Sequence, residues 1–548
     1  MDARGPSRSA GTQEHAARAL HADAAPAVDP AGDEPESAGA RGADIAPPKP
    51  AVGHTRWEVL RHAHFRNIWL AAFFSWIGTW MENTGVSWVM SQATLAKEWT
   101  GKGYPAAPTM MAWHAAAQLG PTLVLGLVGG AIADRVNRKK LLIVTQVLLM
   151  ATAGALFVCA WKGVLTPWVL LGVGFAYGCI VAFNIPAWQV LTPRLVPKEE
   201  LPSAIMLNGM MFNLARALGP VAAGWLLGVK DATWLFAVNT LSFVGVIAVA
   251  CTTPDAPAPP SQDRSHAEDV KEALGYAFRN TGTRVLILGI AISSMLSTPM
   301  LRMLPLLVSE VYPNSRLFPL PADYQELAYG MLLGFMGAGA VLGGILMRLV
   351  PSWYPRHHLV PLSVTLCGLS LTALGLCHDM IIAMVVMVPV GVFWMWSFNA
   401  AMSALQLHVE DRLRGRVLAI CNVISFGSMP LGSFIAAWST DVAGLWTSHA
   451  SSLQWGVIAP SLALLGVGLW MLRYRTPEID NLRPGDPGYD RRPGWMRGVF
   501  ATAHRPIRGE FACPECHFEL DAALARNSTF VCPECGTQST SEQSRRPR

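Results

Sequence analysis

The sequence predicts an all-α integral membrane protein: twelve transmembrane helices in two six-helix repeats, followed by a small cysteine-bearing tail. Three observations predict it. Only 14% of the 548 residues are charged and 52% are hydrophobic, whereas soluble domains average about 25% charged. From Phe65 to Tyr474 the chain is a succession of apolar stretches, each of roughly 20 residues and long enough to cross about 30 Å of hydrocarbon. The two halves of that region also repeat one another. A formal charge of +5 is too small and too dispersed to point to nucleic acid. No nucleophile and base pair, phosphate-cradling loop or nucleotide motif is present, so neither an enzyme nor an ATP-driven pump is expected.

Residues 1–55 are rich in Ala, Gly, Pro and acidic side chains, lack the apolar core of a signal peptide, and read as a disordered extension. Six stretches follow at 66–92, 107–132, 139–161, 166–190, 204–229 and 232–251, a first bundle spanning 62–251. Residues 252–284, with Pro254, Pro257, Pro259, Pro260 and a run of charges, read as a cytoplasmic linker. Stretches at 285–309, 325–349, 359–377, 380–407, 416–440 and 452–473 form a second bundle over 285–474. The basic segment 475–508, with Arg483, Arg491, Arg492, Arg497, Arg505 and Arg508, either rests on anionic headgroups or is a solvated linker.

Loop charges set the orientation, because Lys and Arg accumulate on the cytoplasmic side of short loops. One set of loops carries Arg135, Arg138, Lys139 and Lys140; Arg194 and Lys198; Arg264, Lys271, Arg279 and Arg284; Arg348 and Arg356; and Arg412, Arg414 and Arg416. The alternate set carries only Lys97, Lys102, Lys162, Lys230 and Arg316. Both termini are therefore expected in the cytoplasm of an inner-membrane protein. Duplication is read from three correspondences at an offset of about 210 to 215 residues: Phe183-Asn184 with Phe398-Asn399, Pro220 with Pro430, and Gly129-Gly130 with Gly343-Gly344. Six cysteines, Cys159, Cys179, Cys251, Cys367, Cys377 and Cys421, stand singly in apolar runs and read as buried, inert thiols.

The loop after the second stretch contains Gly130, Asp134, Arg135, Asn137, Arg138, Lys139 and Lys140. It resembles the signature between helices 2 and 3 of the major facilitator superfamily. That resemblance implies a cytoplasmic gate in which Asp134 meets the start of helix 11, with Arg135 and Arg138 as charged neighbours. A solvated basic loop is the simpler reading. Asn137 stands where glycine is usual, a mild departure because Asn tolerates a left-handed turn. Arg66 and Trp69, Gly78-Thr79-Trp80-Met81, Leu195 to Pro202, Asn213, Arg216, Gly219-Pro220, and Arg414 to Leu418 are together similar to the enterobactin-exporter-like branch, also called transmembrane secretion effectors. The likeness covers about residues 60–474 and implies alternating access in a secondary transporter. Gly219-Pro220 followed by Ala222, Ala223 and Gly224 resembles the helix-5 motif of antiporters, which implies export.

Within the spans, ionisable residues are expensive and are functional candidates by default. Arg216 shares one helix face with Gly209, Asn213 and Pro220, and either serves coupling or only braces packing. Glu82 lies well inside the first span, where low dielectric favours the protonated carboxyl that a proton carrier needs; an outer-leaflet, hydrogen-bonded carboxylate is the alternative. Candidate substrate contacts are His114 and Gln118 on helix 2, Tyr177 and Asn184 on helix 4, Asn213 on helix 5, Arg302 on helix 7, and Asn399 and Gln406 on helix 10. Any one of them alone is more often a helix–helix hydrogen bond.

In the tail, Cys513-Pro-Glu-Cys516 and Cys532-Pro-Glu-Cys535 have the spacing of a four-thiolate zinc site. The 509–540 segment resembles a zinc ribbon, with Zn2+ as a structural cofactor that supplies most of its folding energy; iron or redox chemistry on the same ligands is the alternative. The expectation is a proton-coupled exporter of a small apolar or siderophore-like molecule, with lipid, substrate and protons as its partners and no partner assigned to the ribbon. An importer of the same fold, or a membrane-anchored ribbon acting as sensor or scaffold, are the competing readings.

Overall fold

The structure, a computed structural model, describes residues 58–191, 195–253, 266–315, 317–351, 354–473, 476–480, 529–531 and 538–540. The 1–55 extension, most of the 475–508 segment and the four tail cysteines lie outside the described residues. Twelve long helical segments are found among the described residues: α1 (Ala63–Leu95), α2 (Ala107–Arg135), α3 (Arg138–Trp161), α4 (Pro167–Leu191), α5 (Leu201–Val229), α6 (Ala232–Thr252), α7 (Thr281–Glu310, broken at Thr298), α8 (Gln325–Met347), α9 (Arg356–Leu376), α10 (Met380–His408), α11 (Asp411–Ala443) and α12 (His449–Arg473). Ten of these, α3 to α12, are long and apolar enough to cross a membrane among the described residues. At 33 and 29 residues, α1 and α2 also have the length.

The boundaries follow local chemistry. Asp231, Asn280 and Asp379 accept hydrogen bonds from the first free N–H groups of α6, α7 and α10. Prolines open α2, α5 and the second part of α7, where the missing N–H is harmless. Inside the spans, many serine and threonine hydroxyls donate to carbonyls of their own helix, as Ser363 does to Leu359 (2.6 Å) and Thr372 to Gly368 (2.8 Å), which satisfies them in an apolar medium; the buried Thr283 hydroxyl of the seventh span is an exception. Asn137 departs from expectation. Its backbone is extended (φ −62°, ψ 113°) and its side chain caps α3 by accepting from the Lys140 N–H, so it acts as a helix cap and no left-handed turn is needed.

Short connections make successive helices antiparallel, so α1 starts and α12 finishes at the same end. This is the terminal end below, and the opposite one is the distal end. In the first half α1 packs on α5 and α6, α2 on α4, and α3 on α4 and α6; in the second, α7 packs on α11 and α12, α8 on α10, and α9 on α10 and α12. The second pattern is the first advanced by six. The halves meet through α2 with α11 and α5 with α8, pairs that exchange when the halves are swapped. Matching glycines permit these approaches: Gly129 lies against the Ala182 carbonyl of α4, and Gly343 against Val392 of α10.

The segment 252–284 holds more than a connection. His266–Arg279 forms a helix packed on α7 and α11, with Ala273 and Ala277 buried and Glu272 paired to Arg412 at 2.6 Å. After α12, Pro477–Asp480 turns back, and Asp480 accepts from the Arg356 and His357 N–H groups at 3.2 and 3.1 Å, capping α9 from afar. Large side chains left bare at the surface, including Trp161 at 72% and Trp446 at 71% exposed, suit contact with lipid and its interface. Of the six single cysteines, Cys367, Cys377 and Cys421 are buried, Cys159 and Cys179 half-buried and Cys251 exposed, so burial holds for only part of that set. In the tail, strands β1 (Thr529–Val531) and β2 (Gln538–Thr540) pair antiparallel.

Candidate functional site

Arg302, on α7 in the distal half, is a polar group shared by the two halves. It crosses from the second half into the first, donating to Gln118 Oε1 at 2.7 Å, meeting His114 Nδ1 at 3.1 Å and reaching Ser87 Oγ at 3.5 Å. Gln118 in turn donates to Asn83 Oδ1 at 2.7 Å. His114 and Gln118 stand one turn apart on α2, so one guanidinium fork engages both. Nearby, Gln92 of α1 donates to Ser309 of α7 at 2.8 Å, and the Trp88 ring stacks on Tyr329 of α8 at 5.7 Å. The halves also touch where Gly224 of α5 meets Gly330 of α8. All of these contacts lie toward the distal end.

Glu82 is buried and accepts from Asn239 of α6 at 2.5 Å. It borders a small cavity of about 20 Å³, shared with Asn83, His114, Gln118 and Tyr177 and roomy enough for about one water. Four sequence candidates, Glu82, His114, Gln118 and Tyr177, therefore line one space inside the first half, with Arg302 bonded to two of them. Arg216 is elsewhere. Midway along α5, it donates to Asn213 Oδ1 at 3.1 Å and lies 4.8 Å from the Trp394 ring centroid of α10, a cation–π contact between the halves. Trp394 itself donates to Ser297 of α7 at 3.0 Å.

Other candidates are not gathered. Asn184 donates to Thr145 of α3 at 2.9 Å, the helix–helix bond that was the plainer expectation for such a residue. Asn213 bonds the Gly209 carbonyl and Arg216. Asn399 and Gln406 are exposed on α10. The side chains of Asp134, Arg135 and Arg138 lie outside the described residues, although the backbone places them where α2 ends and α3 begins. Sequence reasoning missed Asn83, Asn239, Ser87 and Trp394. Asn83 and Asn239 carried a signal as amides inside apolar spans; Ser87 and Trp394 carried none that separates them from their neighbours.

Two six-helix bundles joined face to face, with half-buried cations crossing between them, define a membrane transporter of the major facilitator type, not an enzyme. The chain matches the transmembrane secretion effector family over residues 54–490 and belongs to it. It is similar to the macrolide efflux protein A of Streptococcus pyogenes, 24% identical over 333 residues that cover 59% of this chain and 79% of that protein. It is also similar to the staphyloferrin A transporter of Staphylococcus aureus, 22% identical over 68% of this chain and 89% of that one. The crystal structure of a D-xylose-proton symporter superposes with a TM-score of 0.60 at 14% identity, over 76% of this chain and 99% of the other, a likeness of fold.

Proposed function

We propose that the protein is a proton-coupled exporter of a small apolar or siderophore-like molecule, with twelve membrane-crossing helices in the inner membrane and both termini cytoplasmic. Its two halves rock about a central site. The observation that carries this reading is the distal lock: Arg302 with Ser87, His114 and Gln118, together with Gln92–Ser309 and Trp88–Tyr329. Bonds that join two rigid bundles at one end hold that end shut, and their loss lets it open. On this reading the distal end is periplasmic and the conformation described is closed to the periplasm. The resemblance to a macrolide efflux protein supports export.

Glu82 carries the proton. It is buried beside a cavity, and its chain neighbour Asn83 is linked through Gln118 to Arg302. A change of charge at Glu82 therefore acts on the same hydrogen-bond chain that closes the distal end. Asp134, Arg135 and Arg138 form the opposing cytoplasmic gate. In the tail, Cys513, Cys516, Cys532 and Cys535 hold a structural Zn2+, supported by the donor set and by a hairpin that brackets the second pair.

The test is a substrate panel in proteoliposomes with an imposed pH gradient, run with everted and right-side-out vesicles. Wild-type efflux follows the gradient, and Glu82→Gln keeps exchange but loses gradient dependence. Wild-type flux that ignores the gradient removes proton coupling.

A further inference from the structure

The geometry points to an organic anion as the substrate class: a small molecule whose carboxylate or other oxyanion docks on Arg216 while a flat apolar part lies against Trp394. This rests on the transport reading above and names the cargo of that site.

Arg216 is the first reason. A guanidinium offers five N–H donors, yet among the described residues its one side-chain hydrogen bond goes to Asn213 Oδ1 and no carboxylate lies within ion-pair distance. Its unbonded N–H groups are not sealed in protein. One face of the ion is covered by Trp394 from the opposite half, which leaves the edge, where the donors point, for a ligand. An oxyanion takes a guanidinium edge through two parallel hydrogen bonds.

The neighbourhood is rich in donors and poor in acceptors. Trp80 Nε1 of α1 is buried without an acceptor. Its ring lies 5.9 Å from Phe212, and its Cβ meets Gly219, so it packs along α5 on both sides of Arg216. Phe212 also meets Trp76 edge-on at 5.0 Å. These rings supply an apolar wall beside the cation.

Charge points the same way. Arg302, the second cation between the halves, is bonded to neutral groups alone among the described residues. Glu82 does not offset Arg216: it sits two residues from Trp80, about 200° round the helix, and turns to Asn239 of α6. A cationic cargo would bring like charge to this cleft, where low dielectric magnifies repulsion. An anion cancels charge.

The experiment uses the full chain in lipid nanodiscs with three probes of one shape: 2-naphthoate, 2-naphthamide and 2-naphthylmethylammonium. Affinity is read by quenching of tryptophan fluorescence, and flux in proteoliposomes. Naphthoate binds best, Arg216→Gln weakens it about ten- to a hundredfold while barely changing naphthamide, and Arg216→Lys recovers part of the loss. If Arg216→Gln does not fold, the wild-type order of the three probes and the Trp394→Leu variant decide. Equal or tighter binding of the ammonium probe, no naphthoate binding, or naphthoate affinity indifferent to Arg216→Gln overturns the inference. Selective naphthoate binding without flux would instead overturn the transport reading and leave the anion site standing; flux of the ammonium probe alone would do the reverse.

Discussion

Replacing Gly224 with alanine should open the distal end. A Cβ at Gly224 would lie 2.6 Å from the Glu326 carbonyl oxygen and 2.8 Å from Gly330 Cα, whereas non-bonded carbons settle at about 3.5–4.0 Å. The obstacles are backbone, which no rotamer change relieves, so α5 and α8 must separate by roughly 1 Å. Overpacking of this kind costs about 1–3 kcal/mol. If α5 and α8 touch at this point only while the distal end is closed, as the proposed rocking requires, most of that penalty falls on the closed state, and 2 kcal/mol shifts the closed-to-open ratio by about 30-fold. Gly228, one turn further along the same helix, has nothing within 4 Å of its added Cβ. There alanine should be neutral or stabilising by about 0.5–1 kcal/mol through helix propensity. The assay is pulsed electron-spin distance measurement between labels at Lys162→Cys and His378→Cys, exposed distal positions in opposite halves, with the native cysteines replaced. Gly224→Ala should lengthen the distal distance and Gly228→Ala should not. Identical distributions in both variants would refute the assignment of this contact to closure.

Two further expectations concern the ends of the molecule. Burial pushes the Asp480 carboxyl up, but bonds from the His357 ring and from the His357 and Arg356 N–H groups outweigh burial and hold it below the usual carboxylate range. A depressed native value means the stabilisation is complete above the unfolded value of about 3.9 and fades as pH falls through the native one. Asp480→Asn should therefore destabilise by about 1–2 kcal/mol at pH 7, and its deficit in melting temperature should shrink in acid; a deficit that grows in acid contradicts the arrangement. In the tail, purified full-length protein should carry one zinc per chain by elemental analysis, and Cys532→Ser should lower that content while leaving transport intact. Zinc-free wild type, or transport lost with the metal, counts against a purely structural ribbon.

What the sequence made legible divides along physical lines. Span positions were readable because about 20 apolar residues are needed wherever a helix crosses lipid, and the residues of α3, for instance, differ by one from the stretch expected at 139–161. Contacts between distant segments were not readable. Asp480 caps a helix that starts 124 residues earlier, and nothing in Pro477–Asp480 marks it as a cap. Arg302 was visible as an ionisable group in a span, but its partners belong to α1 and α2, and which half it bonds depends on packing. For Asn184 the sequence left two readings open, and the structure shows a hydrogen bond to Thr145. The cavity at Glu82 was half legible: its ionisable and aromatic members stood out, while Asn83 passed as one polar residue among several in a helix already interrupted by Thr79 and Thr84.

The duplication itself separates scaffold from mechanism. Two of the three recurrences at 210 to 215 let helices approach or bend, Gly129-Gly130 with Gly343-Gly344 and Pro220 with Pro430; the third is the uncharged pair Phe183-Asn184 with Phe398-Asn399. The charges within the spans do not recur. At the same offset Glu82 falls in Ile292 to Ser297, Arg216 in Phe426 to Leu431, and Arg302 in Ser87 to Gln92, and none of these windows holds an ionisable side chain. Two bundles built alike can pivot about their shared axis whatever their polar content, because packing sets the hinge. In the proposed coupled transporter, direction and coupling need an inequality between the halves, and three residues would supply it: an acid facing inward in the first half, a base on α5 facing the second, and a base on α7 facing the first. Moving one of them to its duplicate position, Glu82→Met with Met295→Glu, would keep the number of buried charges and the composition of the chain. Coupling survives that exchange only if position along the bundle is irrelevant, so a retained pH-gradient response in the double variant would argue that the asymmetry plays no part in transport.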